Sequence, residues 1–192
     1  MMRGRATPGV GKMDPVQELK IRADILHAQL ESRDGDALAR LRVLPELRRA
    51  DDALLLAKAE AFRRKHCLSV VARECGFASW ERARNILSGD AEGVDFGTLL
   101  HGRNASSILS PWFASYEEAL AAQRSLPDHP RHYLLAYKRH FMVTGRSFVE
   151  ALGMDPDDPD WEAIGWNWAR PTDPTARSRL YYKRLVAMRG VP

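Results

Sequence analysis

The sequence offers little sulfur chemistry: its 192 residues include only two cysteines, Cys67 and Cys75. That excludes a disulfide-built scaffold and makes a reducing, cytoplasmic setting the expectation. No apolar run approaches the ~20 residues that a membrane-spanning helix needs, so no membrane contact is expected. The start, Met1-Met2-Arg3-Gly4-Arg5, carries charge with no apolar stretch behind it, and so lacks the pattern of a secretion signal. Aromatic residues are 8% of the chain, and glycine and proline number 13 and 11, far below collagen-like or low-complexity levels. What the chain does have is a 45% hydrophobic share, enough at this length for one domain or two small ones with a true core.

Catalytic signatures are missing as well. There is no Cys-x-x-Cys, no His-Glu-x-x-His and no Gly-x-Ser-x-Gly. Gly9-Val10-Gly11-Lys12 lacks the spacing of a phosphate loop and has no strand before it. No catalytic residue and no cofactor is therefore assigned.

The formal charge is +4, with arginine outnumbering lysine 23 to 6, a bias typical of a bacterial genome rich in G and C. Up to Asp90 there are 17 basic and 13 acidic residues, and after it 12 of each. The second part is not evenly mixed. Asp155, Asp157, Asp158, Asp160 and Glu162 form an acidic block, whereas Arg177, Arg179, Lys183, Arg184 and Arg189 form a last segment without an acid. A solvated basic face is the first reading, and contact with nucleic acid is the alternative.

Along the chain the pattern predicts a mainly α (α+β) fold. Residues 1–13 read as a disordered tail, 14–89 as an N-terminal helical unit, 90–111 as a linker or long loop, and 112–190 as an α+β unit. Asp14-Pro15 opens the first helix, where aspartate can cap and proline suits the first turn. Leu19, Ala23, Leu26 and Leu30 then form one stripe at steps of three and four. A third helix is expected from Asp51-Asp52 through Phe62 towards Arg64. Leu68, Val71, Ala72 and Cys75 share a face of the next, Gly76 can take the left-handed conformation that ends it, and Ser79 caps another. Phe77 and Trp80 are expected in that unit's core. In the second half, Ser115 and Glu118 make a capping box. Tyr133–Tyr137 and His140–Thr144 are strands, joined as a hairpin or as one bulged strand, with a third drawn from Ser110–Phe113 or Gly97–Leu100. Asp158-Pro159 and Asp173-Pro174 repeat the opening device of the first helix.

Ala72-Arg73-Glu74-Cys75-Gly76-Phe77-Ala78-Ser79-Trp80 resembles a helical segment of bacterial ankyrin-repeat-like and glyoxalase-related proteins, which reads Ala-Arg-Glu-x-Gly-Phe-x-Ser-Trp after a basic helix. The resemblance covers residues ~50–88. It implies a helix stop, a staple and a helix start, and carries no catalytic residue with it.

Three sites are considered. His129, His132 and His140, with Asp128, are weak candidates for metal ligands or for a histidine-centred enzyme site. Cys67 and Cys75 lie too far apart on one helix to bridge. The third is a binding surface of Trp166, Trp168, Arg170, Arg177, Lys183 and Arg184, in which exposed tryptophan beside arginine has the make-up of an interface hot spot. The leading expectation is thus a non-catalytic binding or accessory protein with a protein partner. A nucleic-acid-associated regulator, which would also use Arg63, Arg64 and Lys65, is the alternative, and the sequence leaves oligomeric state open.

Overall fold

A computed structural model describes residues 13–90, 95–127 and 131–190. Helix α1 (Pro15–Glu31) starts where Asp14 accepts hydrogen bonds from the Val16 and Gln17 amides. Helix α2 (Gly35–Arg40) is capped by Asp34 and α3 (Asp52–Lys58) by Asp51. The expected continuation of α3 to Arg64 does not form: a 3-10 turn covers Ala59–Ala61, and Phe62 is extended. Helix α4 (Arg64–Glu74) ends as the sequence suggests. Gly76 sits at φ +86°, its amide donates to Arg73 O at 2.9 Å, and the Phe77 amide donates to Ala72 O at 3.0 Å. This satisfies the last carbonyls of α4. Ser79 then caps α5 (Trp80–Ser88). Phe77 is buried, whereas Trp80 is only half-buried and packs against the core's edge.

The second half holds β1 (Trp112–Phe113), α6 (Tyr116–Ser125), β2 (Tyr133–Tyr137), β3 (His140–Thr144), α7 (Arg146–Ala151), α8 (Pro159–Ala163) and α9 (Pro174–Ala187). The strands form an antiparallel sheet in the order β1-β3-β2. Of the two arrangements considered, the hairpin is the one adopted, with Lys138 at φ +51° in its two-residue turn. The third strand comes from residues 112–113, not 97–100. Strand alternation sorts the sheet's two faces. Tyr133, Leu135 and Met142 join the main core, while Leu134 and Val143 pack with Ala119 of α6.

Residues 95–111 form a long loop built into the molecule, with Leu99, Leu100 and Ala105 buried. The Thr98 amide donates to Gly76 O at 2.9 Å, and Lys138 and the 96–97 backbone exchange hydrogen bonds at 2.8 and 2.9 Å. The glycine that ends α4 is therefore also the seat for this loop: a Cβ on Gly76 would lie 2.2 Å from Thr98 Oγ1. One buried cluster runs from Leu19 to Leu185 through both halves. Polar ties reinforce it. Buried Glu18 of α1 accepts from Arg22 and Arg189, Arg22 also donates to Leu185 O, and Arg184 donates to Leu99 O and Leu152 O. No helix among the described residues is long and apolar enough to cross a membrane.

Candidate binding cleft

The structure breaks up the surface expected from Trp166 to Arg184. The Asp158 cap starts α8, and Gly165 at φ +65° ends it, with the Trp166 amide donating to Trp161 O at 2.8 Å. Trp166 itself takes φ +50°, and residues 166–168 then run beside β2, where Leu134 N donates to Trp166 O and Trp168 N to Leu134 O. This course sends Trp168 inward. It is 0% exposed, with ring centroids 5.4 Å from Trp161 and 4.8 Å from Tyr181. Trp166 stays half-buried at the core's edge.

The basic helix is likewise not a free positive face. Arg177 is buried and donates to Trp168 O at 3.2 Å, and Arg184 is buried, with its pKa drawn down by desolvation. Lys183 donates to Asp158 at 2.6 Å and Asp160 at 2.7 Å, and Arg179 grips Asp160 through two nitrogens. Burial alone would raise the Asp160 pKa, but the hydrogen bonds from Arg179 and Lys183 outweigh it and hold the carboxyl low. Asp158 and Asp160 of the acidic block thus pair with Arg179 and Lys183 across α8 and α9. Of the six residues expected at an interface, Trp168, Arg177 and Arg184 belong to the interior and Lys183 to an ion-pair network. Only Arg170, with the rim of Trp166, remains on the surface.

His132 and His140 do not come together. Asp128 and His129 lie outside the described residues. His132 precedes β2 and His140 opens β3, so the antiparallel register puts them at opposite ends of the hairpin, on the order of 15 Å apart at ~3.3 Å per residue. Among the described residues no group of three His, Cys, Asp or Glu side chains could hold a metal ion. Both cysteines are free and buried: burial raises the Cys67 pKa and pushes Cys75 to about 11, which disfavours the nucleophilic thiolate.

What the fold does build around Arg170 is a cleft of about 660 Å³ between the end of α5, the sheet and the 169–174 segment. Tyr116, the first residue of α6, is placed by the Ser115 cap. Phe141 reaches the cleft from β3, and Phe96 from the loop pinned to the hairpin turn. The rings meet edge to face, Tyr116–Phe141 at 5.8 Å and Phe96–Phe141 at 6.3 Å. The Arg170 guanidinium lies 3.9 Å above the Tyr116 ring, and its Nη1 is 3.3 Å from Glu117. Asn167 fixes both partners: its Oδ1 accepts from the Arg170 amide at 3.0 Å and its Nδ2 donates to the Tyr116 hydroxyl at 2.7 Å. The Arg170 side chain nevertheless remains 65% exposed.

The cleft presents exposed Arg170 and buried Arg177, aromatic edges and the prolines Pro171 and Pro174. Among the described residues its lining has no carboxylate, imidazole or thiol; its polar side chains are the Arg170 and Arg177 guanidinium groups, the Tyr116 phenol and the Ser88 hydroxyl. Of the residues expected at an interface, Arg170 and buried Arg177 line this cleft, whereas Phe96, Tyr116 and Phe141 were not foreseen. Ser115 and Glu118 did mark the α6 start; nothing local shows that residue 116 meets residue 170. Also unforeseen is His101, packed on Tyr137 at 5.0 Å beside Trp112 and Phe148, with its pKa lowered by burial.

Comparison with known proteins finds no matching family model, no similar curated protein and no similar solved structure.

Proposed function

We propose that this protein is a non-catalytic binding protein that holds a protein partner at the Arg170 cleft. The observation that carries this reading is Arg170 itself, a mostly exposed guanidinium stacked on the Tyr116 ring and carried on a backbone that the Asn167 side-chain carbonyl holds through the Arg170 amide. Pre-ordering removes much of the entropy loss that weakens contacts made by long side chains. Arginine beside a desolvated aromatic floor concentrates interface energy. The matching partner is an extended segment that sets a carboxylate on Arg170, displacing exposed Glu117, and an apolar side chain against Phe141 and Phe96.

The other readings have less behind them. A nucleic-acid surface needs free cations to follow phosphates, but Arg179 and Lys183 are paired with Asp160 and Asp158. Arg64, in the other basic cluster, is paired with Asp24. A histidine-centred enzyme would need His132 and His140 at one end of the hairpin. The buried thiols of Cys67 and Cys75 favour the reducing compartment expected from the sequence. The resemblance of residues ~50–88 to ankyrin-repeat-like and glyoxalase-related proteins bears, on this reading, on scaffold alone.

Photo-crosslinking tests the proposal: a photoreactive residue replaces Arg170 or, as control, exposed Arg48 in the full chain. The expected result is one discrete protein adduct from position 170 that position 48 does not give. Adducts that are the same from both positions, or none from 170, would overturn it.

A further inference from the structure

Helix α1 carries two apolar stripes. Leu19, Ala23, Leu26 and Leu30 are in the core, but Ile21 and Ile25, one turn apart, face outward at 44% and 53% exposure. A solvated helix face ordinarily holds polar residues, and β-branched ones add nothing to helix formation there. The two isoleucines line a groove of about 700 Å³ that reaches Cys75 and Met188. On one wall Arg40 makes two 2.8 Å hydrogen bonds to Glu74, a neutral pair. On the other, Arg22 and Arg189 share the single buried carboxylate of Glu18, which leaves one positive charge in excess. Arg189 is 52% exposed and can present that charge to a ligand.

We infer that this groove docks an amphipathic helix of a partner protein, with apolar side chains at i and i+4 against Ile21 and Ile25 and an acidic residue facing Arg189. Helix-in-groove recognition uses this anchor spacing. Charge decides between occupants. A second copy of the chain, packed through the same patch, would bring the Arg22–Glu18–Arg189 excess against its like, whereas an acidic helix complements it. The groove shares no lining residue with the Arg170 cleft, so it stands or falls independently of that reading.

The test is methyl NMR of the full chain labelled at isoleucine δ1. Ile21 and Ile25 report on the groove, and the buried Ile86 and Ile164 serve as internal controls of fold. The probe is a synthetic helical peptide with leucine at i and i+4 and glutamate on its flanks, compared with one carrying lysine on the flanks. The glutamate peptide is expected to shift Ile21 and Ile25 saturably and to leave Ile86 and Ile164 in place. Affinity should fall about tenfold or more for the lysine peptide and for Arg189→Glu. Ile25→Glu, at an exposed position, should abolish binding while the control methyls keep their positions. Ile21 and Ile25 unmoved by millimolar glutamate peptide, or moved equally by the lysine peptide, would overturn the inference. So would concentration-dependent shifts of Ile21 and Ile25 without peptide, which would make a second copy the occupant.

Discussion

At the scale of single residues, backbone conformation and burial decide which positions tolerate change. Gly76 meets two constraints at once, a φ of +86° and the Thr98 side chain where a Cβ would stand. Left-handed backbone alone disfavours an L side chain by about 1–2 kcal/mol, and the contact adds to it. Gly76→Ala is therefore expected to lower stability by at least ~1–2 kcal/mol in denaturant unfolding. An unchanged midpoint would show that the loop at Thr98 is not seated on α4. Trp168→Ala empties a fully buried site between Trp161 and Tyr181, for an expected loss of roughly 3–5 kcal/mol. Retained stability there would restore Trp168 to the surface. The helix stop at Gly76 and the caps at Asp14, Asp158 and Asp173 were legible in the sequence because each of these roles is played within four residues, unlike the contact of Gly76 with Thr98 or the ion pair of Asp158 with Lys183. Trp166 and Trp168 were not. Their division between rim and core depends on left-handed Gly165 and Trp166 and on pairing with Leu134, which lies 32 or more residues earlier.

At the scale of elements, amphipathic stripes and caps foretold α1, α4 and α5, and aromatic and aliphatic runs foretold the segments of β2 and β3 but not their pairing as a hairpin. The end of α3 and the fate of α9 were not foretold. Four cations on α9, with Arg189 in the 3-10 turn after it, read as a positive face until α8 is laid beside them, and only tertiary contact pairs Arg179 and Lys183 with Asp160. That packing has a pH signature. The folded-state pKa values of Asp160 and Glu18 are both lowered: burial raises each, but the hydrogen bonds from Arg179 and Lys183, and from Arg189 and Arg22, outweigh it. A depressed carboxylate adds stability above its unfolded pKa of about 4 and loses it as pH falls through the lower folded value. Stability should thus be held near neutrality and decline below about pH 4. In Asp160→Asn and Glu18→Gln proteins that decline should be shallower, as urea titrations across the acid range would reveal. Equal acid sensitivity in both variants and wild type would mean that these carboxylates do not couple the elements.

For the whole molecule, a single buried core runs through both halves and supports the Arg170 cleft on which the proposed binding role rests. Helix α1 packs on α4 from its own half and on α9 from the other, and Glu18 and Arg184 bind segments more than 80 residues apart. Wild-type protein is therefore expected to unfold in one transition seen alike by far-ultraviolet circular dichroism and tryptophan fluorescence. Two separated transitions would divide the core. On that scaffold, binding should rest on Arg170, whose removal leaves the core untouched. The most direct test is the dissociation constant of the partner crosslinked from position 170, measured by calorimetry with wild type, Arg170→Lys and Arg170→Glu, alongside their melting temperatures. The account predicts unchanged melting temperatures, partial weakening for lysine, and a loss of about 30-fold or more for glutamate, the size expected when a hot-spot residue of ~2 kcal/mol is removed. Arg170→Glu protein that binds within about twofold of wild type, well inside the ~1.4 kcal/mol of a tenfold change, would contradict it.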